Sequence, residues 1–317
     1  MPSPDTTAST LQARFLASLR CWFDSAHAYA SADQGDPDRV DWLRVMPFVL
    51  LHASCLLVLW VGWSWTALWV ALALYALRMF AITGFYHRYF SHRAFRAGRG
   101  IQFVFAVLGA SAVQRGPLWW AAHHRHHHRH ADKPADPHSP RRGFWHSHMG
   151  WFLRRSAFAT DLAAVPDLAR YPELRWLDRY DIAVPIVLAV SLYGVGALLQ
   201  KVAPHLHTSG AQLVVWGFCI STVVLFHVTV SINSIAHRFG RRRYDTRDDS
   251  RNCYLLALLT FGEGWHNNHH QFPGSARQGF RWWEIDLTYY GLRALAAAGL
   301  IRDLRPVPRG LRRLGGS

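Results

Sequence analysis

The stretch PFVLLHASCLLVLWVGWSWTALWVALALYAL (Pro47–Leu77) contains no charged residue. Arg78 follows it, and the chain is then uncharged again as far as His87. About forty such residues are twice what one helix needs to cross a hydrocarbon core roughly 30 Å thick. The pattern predicts two spans, 46–63 and 66–86, joined by a tight turn at Gly62-Trp63-Ser64-Trp65. A second uncharged block runs from Ile182 to Ala236, interrupted only by Lys201. It predicts spans at 182–200 and 211–235, with Pro204 and Gly210 punctuating the break. The expected fold class is therefore an all-α integral membrane protein with four transmembrane helices in two hairpins.

Two shorter apolar runs, Ile101–Gln114 and Leu255–Gly262, cannot span and read as buried or interfacial helices. The first forty-four residues form an N-terminal extension. Leu11, Phe15, Leu19, Trp22 and Phe23 share a helical face there, which predicts a short amphipathic helix. No signal peptide is expected in this extension. One domain is expected over 45–305, followed by a basic tail at 306–317. Half of the 317 residues are hydrophobic and 17% are charged, against about 25% charge in an average soluble chain. That excludes an ordinary soluble enzyme and a disordered chain. Four scattered Cys without a CxxC pair speak against a disulfide scaffold, a Cys-type zinc site or an iron–sulfur cluster.

The charge is lopsided, with 35 Lys+Arg against 20 Asp+Glu. Segment 87–181 carries fifteen Lys+Arg and segment 237–317 carries fourteen, whereas the two inter-helix turns carry none and one. The positive-inside rule puts both long segments and both termini in the cytoplasm. The basicity reads as a membrane-surface and orientation signal. No basic recognition motif accompanies it, so nucleic acid is not an expected partner.

Twenty residues are His, and eleven of them fall in 87–148. His87 and His92 follow the second span. His124, His127 and His128 have the i, i+3, i+4 spacing that shares a helix face, and so do His266, His269 and His270. Asn233 and His237 form an i, i+4 pair past the fourth span. His87 and His92 are five apart and do not share a face of an ideal α-helix, so the helix is expected to end between them. A bundle of neutral imidazoles binds transition metals. Nine are too many for one metal and about right for two. A loose His-rich tract or unrelated core His is the plain alternative, but all these boxes lie at helix ends on one predicted side. HExxH is absent, and three Glu (Glu173, Glu263, Glu284) cannot build a Glu-rich di-iron bundle. The single Glu263-x-x-His266 match is read as accidental. An all-nitrogen two-iron site at the membrane surface fits best, since imidazole suits iron.

The motifs HRYFSH (87–92), HRHHH (124–128), DPHSPRRGF (136–144), NSIAH (233–237) and GEGWHNNHH (262–270) resemble those of the membrane fatty-acyl desaturases, in particular the acyl-CoA delta-9 (stearoyl-CoA) desaturase-like branch in its bacterial form. The resemblance covers about 45–305. It implies four transmembrane helices under a cytosolic cap with a His-rich di-iron site. The implied ligands are His87, His92, His124, His127, His128, His237, His266, His269 and His270, with Asn233 holding a water. No catalytic residue beyond these is implied. The implied reaction uses O2 and two external electrons to place a cis double bond in a saturated acyl chain, here acyl-CoA or another acyl-lipid. Val230 stands where the animal members carry a tunnel-lining Trp.

Around these boxes, Arg141 and Arg142 could meet phosphates of a head group. Tyr75 and Met79, 12–18 Å deeper by helical rise, could close the far end of an acyl tunnel, although packing explains either alone. Asp136 could orient a ligating His, whereas Asp248 and Asp249 read more readily as Arg partners. His52 and His227 lie inside spans and read as hydrogen-bonded core groups, and His123, His126 and His130 as supporting or surface groups. With no GxGxxG, no iron–sulfur Cys set and no fused haem domain, an external donor of ferredoxin or cytochrome b5 type, with its reductase, is expected. A bacterial inner membrane is the expected location. A hydroxylase on the same metals and a non-enzymatic metal-handling membrane protein are the competing readings.

Overall fold

The computed structural model describes residues 20–26 and 36–310. Leu11, Phe15 and Leu19 of the expected amphipathic helix lie outside the described residues, as does the tail from 311. Among the described residues, four helices are long and apolar enough to cross a membrane: α1 (Trp42–Val61), α2 (Trp65–Ser91), α6 (Ala183–Val202) and α7 (Gly210–Ser234). All four expected spans are present. Their outer faces carry exposed Trp60, Trp69, Val187 and Val190, as lipid-facing surfaces do. The turn after α1 forms where the sequence places it. Gly62 takes φ +63°, a left-handed value that glycine reaches at no steric cost, and the Ser64 side chain accepts a hydrogen bond from the Ala67 N–H to start α2.

The rest of the chain forms a cap over one end of the spans. It contains α3 (Arg99–Ala110), α4 (Pro117–His130), α5 (Pro172–Arg179), α8 (Tyr254–Leu259), α9 (His266–Gln271) and α10 (Leu287–Ala297). A two-stranded antiparallel sheet, β1 (Arg96–Ala97) with β2 (Ile301–Arg302), is a small departure from the all-α expectation. The short apolar runs became α3 and α8, too short to span.

α2 runs five residues past its expected end. From Ala81 to Ser91 its hydrogen bonding widens to the i→i+5 (π) pattern, and every residue of that stretch is buried. Phe85 stacks on Phe105 of α3 at 3.7 Å. The span therefore continues as the central rod of the cap.

Two polar features lie inside the spans. Arg78 is fully buried and reaches Leu74 O, Ser111 O, Thr222 Oγ1, Gly217 O and Ser221 Oγ. A cation in an apolar span is costly unless its donors are matched, and here each nitrogen has a partner. His52, His227 and His148 form the other feature, a chain of bonded imidazoles. His52 Nδ1–H donates to Phe48 O at 2.8 Å, which leaves its Nε2 to accept from His227 Nε2–H at 3.1 Å. His227 Nδ1 then accepts from His148 Nε2–H at 3.0 Å, and His148 Nδ1 accepts from the Ser234 hydroxyl at 2.9 Å. One carbonyl thus sets three tautomers, and the core role expected of His52 and His227 holds.

The N-terminus of α4 has no cap of its own. Gly116 precedes Pro117, and Asp178 from α5 supplies the acceptor, with Oδ1 at 3.0 Å from Leu118 N and 2.8 Å from Trp119 N. Gly116 is needed because a Cβ there would come 2.4 Å from the Asp178 Cα. Asp178→Ala should cost about 1–2 kcal/mol, the range of a lost helix cap. Thermal unfolding followed by circular dichroism should show a lower midpoint than for the parent, and an unchanged midpoint would remove Asp178 as the cap.

Candidate metal centre

The nine expected histidines meet in two groups. His87, His92, His124, His128 and His269 form one, and His127, His237, His266 and His270 the other. Within each group the ligand atoms lie within 4.8 Å of one another. Each group could hold a metal ion.

The local structure explains the convergence. α4 is a regular helix, so His124, His127 and His128 project from one side, and the i, i+3 step separates His127 into the second group. α9 does the same with His266, His269 and His270. α9 has only six residues, and its first N–H groups are satisfied from outside. Asn252 Oδ1 accepts from Asn267 N and Asn268 N, while Asn267 Oδ1 accepts from Arg243 N and Tyr244 N. The pair His87 and His92 depends on the wide turn of α2. Residues five apart come together when bonding is i→i+5, and their ring centroids are 4.9 Å apart. The helix does end between them, at Ser91, and His92 follows it as the cap.

Carboxylates fix the rings. His127 Nδ1–H donates to Asp136 at 3.0 Å, His237 Nδ1–H to Asp132 at 2.9 Å and His270 Nδ1–H to Asp248 at 2.8 Å. His87 Nδ1 pairs with Glu263, which Arg88 also holds. With the proton on Nδ1, each Nε2 offers a lone pair to the centre, the usual arrangement for a metal-bound imidazole. His270 Nε2 and His266 Nδ1 are buried with no hydrogen-bond partner. A cation fits this donor set, since it would satisfy lone pairs such as that of His270 Nε2.

Burial, then the neighbouring imidazoles, holds His92, His124, His128, His266 and His269 well below the ordinary histidine range. Burial takes His270 down to about 4, with Asp248 opposing it. Burial alone would raise Asp136, but His138 and His127 hold it far below its usual value, and His270 does the same for Asp248. The rings are neutral near pH 7, the form that binds metal.

A cavity of about 570 Å³ reaches from this centre into the spans. His124 and Asn233 line its metal end, and Val230, Phe226, Thr222 and Phe218 line it along α7. Phe218 to Asn233 is fifteen residues, about 22 Å at the helical rise. Its lining is overwhelmingly apolar. Ser54 and Ala189 are the lining residues farthest from the cap on α1 and α6. Tyr75 and Met79 do not line it. The Tyr75 hydroxyl donates to Leu259 O of α8 at 2.6 Å, and Met79 is fully buried in the core. Their face of α2 turns to the cap, while α1, α6 and α7 surround the cavity.

The fatty acid desaturase family model matches residues 63–303. The chain belongs to that family. It is 37% identical to an sn-1 stearoyl-lipid 9-desaturase of Anabaena variabilis over 84% of this chain and 94% of the relative. It is 37% identical to an sn-2 palmitoyl-lipid 9-desaturase of Nostoc sp. (strain 36) over 87% and 94%. It is 38% identical to an acyl-CoA 5-desaturase of Anemone leveillei over 80% and 76%. This desaturase is an integral membrane enzyme, and its histidine groups with its family support the use of iron.

Sequence reasoning missed several supporting residues. Asp132 carries no motif of its own, Glu263 was read only as an accidental Glu-x-x-His match although it pairs with His87, and Asp248 was expected to pair with Arg. Asp248 instead receives His270, whereas Asp249 does pair with a guanidinium, that of Arg141 at 2.9 Å. Arg142 is exposed at the surface. His138 packs against His127 with tilted rings, centroids 4.2 Å apart, and was not expected there.

Two outcomes test the centre. Asp248→Asn should weaken metal affinity about 10–100-fold, read by titrating Co2+ and following its absorption; an unchanged affinity would leave Asp248 outside the centre. In metal-free protein, the unfolded chain binds a proton at His270 below about pH 6.5 that the folded chain refuses until about pH 4. Stability is thus present above pH 6.5 and falls with pH at up to about 1.4 kcal/mol per unit for this group. The melting midpoint of chelator-treated protein should drop between pH 7 and 5; a level midpoint would contradict the neutral assignment.

Proposed function

We propose that this desaturase holds two irons and places a cis double bond at the delta-9 position of a saturated acyl chain. The nine histidines are the ligands, five around one iron and four around the other, and Asn233 holds a water at the four-histidine group. The observation that carries this reading is the apolar cavity that reaches the five-histidine group at His124 and carries Asn233 on its wall. Iron, when bound, supplies the oxygen-activating power that no side chain has for an unactivated methylene. The overall balance is one saturated –CH2–CH2– unit, O2, two electrons and two protons in, and one –CH=CH– unit and two waters out.

The chain's own residues bind and orient. The cavity walls of Phe48, Phe152, Phe226 and Val230 hold the acyl chain extended and exclude water from the reacting carbons. Trp120 stacks on His124 with ring centroids 5.0 Å apart, which fixes that ligand at the cavity mouth. Leu50 of α1 and Ile186 of α6 line the cavity and are also exposed on the lipid-facing surface. That side opening favours an acyl chain delivered from within the bilayer on a membrane lipid, as the names of the Anabaena and Nostoc relatives say of those proteins. An acyl-CoA would instead place its phosphates at the cap, where exposed Arg142 is available. The basic cap faces the cytoplasm of a bacterial inner membrane and receives electrons from an acidic donor of ferredoxin or cytochrome b5 type with its reductase.

Expression in a desaturase-deficient host, with double bonds mapped by mass spectrometry, tests the reading. A new delta-9 monounsaturated acid that vanishes in His269→Ala is expected. A hydroxylated acid would move the chain to hydroxylation on the same metals, and no product with iron loaded and a donor supplied would favour metal handling. Pulse labelling shows whether the new bond appears first in the lipid or in the acyl-CoA pool. Ala189→Phe, at the deep end of the cavity, should shift the product toward shorter chains and lower kcat/KM on the longest substrate about tenfold, or about 1.4 kcal/mol. An unshifted profile would place the end of the cavity elsewhere.

A further inference from the structure

A second recess of about 440 Å³ lies in the cap and shares no lining residue with the acyl cavity. Five guanidinium groups line it: Arg93, Arg96, Arg170, Arg302 and Arg305. Among the described residues, the only carboxylate in its lining is Asp303, 3.4 Å from Arg96, and Asp167 meets Arg93 at 2.5 Å. Five cations thus face two carboxylates. Arg302 and Arg305 make no side-chain hydrogen bond or ion pair among the described residues.

The backbone around this recess is held in place. β1 pairs Arg96 with Arg302, and Arg305 N donates to Ala94 O at 2.9 Å. Arg93 and Asp303 both take left-handed φ values, +51° and +56°. Such values cost energy in residues other than glycine and are kept where the surroundings impose them. Gathering like charges also costs energy, so a polyanion would relieve the site. Tyr89 and Tyr171 offer ring faces to the same recess, under Arg93 and Arg170 respectively.

We propose that this recess binds a phosphate-bearing anion, carried by a soluble phosphate ester or by a phospholipid head group. Arginine forks match phosphate oxygens in pairs, and the volume lies in the range of small-molecule sites. Occupancy would be felt at the metal centre. Arg93 follows the ligand His92 and shares Asp167 with Arg125, which follows the ligand His124. Arg125 also holds Phe90 O at 2.7 Å and Ser91 O at 3.1 Å, the end of the wide turn that brings His87 and His92 together. An anion that draws Arg93 away from Asp167 changes the partner of Arg125.

The test uses the full chain in phosphatidylcholine nanodiscs and inorganic pyrophosphate as the probe, read by isothermal titration. One pyrophosphate per chain is expected, with affinity falling as salt rises. Arg302→Glu with Arg305→Glu should weaken it at least tenfold while helicity and Co2+ binding stay as in the parent. Should that double variant misfold, Arg302→Gln carries the test with a smaller loss in the same direction. Adding phosphatidic acid to the nanodisc separates the sources: competition with pyrophosphate assigns a lipid head group, and none assigns a soluble phosphate ester. No binding at millimolar pyrophosphate, or equal binding by a folded variant, would overturn the proposal.

Discussion

The orientation of nine converging imidazoles, buried or half-buried, governs the cap. They can serve a metal only if lone pairs turn inward. Burial holds His92, His124, His128, His266, His269 and His270 in the neutral form, and hydrogen bonds from the opposite ring nitrogen aim the lone pair at four positions. The carboxylates doing this come from different segments: Asp132 and Asp136 from the loop after α4, Asp248 from the loop before α8, and Glu263 from just before α9. Much of the irregular backbone in the cap exists to bring these oxygens to the backs of the rings.

That requirement also explains how the ligand-bearing helices begin. α4 and α9 both start without a side-chain cap of their own, and both are capped from elsewhere, by Asp178 and by Asn252. A local cap stabilises a helix but leaves its direction free. A cap from another segment fixes direction as well, and direction decides where an imidazole at the far end points. The same logic applies to α2, whose last turns are buried on all sides. Its wide hydrogen bonding would be unfavourable in an isolated helix and persists because α3, α4 and α10 surround it.

The spans were legible because absence of charge over forty residues is a long-range signal that no local exception erases. The two boxes with i, i+3, i+4 spacing were legible because that spacing keeps its meaning in any regular helix. The pairing of His87 with His92 was not, since widened bonding is a consequence of tertiary packing that the segment's own residues do not announce. Asp248 was misjudged because its neighbours Arg247 and Arg251 are adjacent in sequence, whereas its partner His270 arrives only when the chain folds back. Tyr75 and Met79 do not meet the cavity, because their face of α2 packs against α8 and the core. Depth follows from residue count, whereas the facing direction depends on which helix packs there, and α8 took that side.

The two histidine groups are not equivalent, and the difference follows from charge. The four-histidine group has three aspartates behind its rings, at His127, His237 and His270, whereas the five-histidine group has a single glutamate, which Arg88 shares. A ring that donates to a carboxylate is a more basic ligand, so the four-histidine group compensates a cation more strongly with fewer ligands. The five-histidine group relies on number instead. Asn233 lies on the wall of the apolar cavity. The histidine that meets the cavity is His124, a member of the five-histidine group, so the carboxylate-backed group lies behind it. The cost of burying so much polarity at the membrane surface is offset by hydrogen bonds spread through the cap.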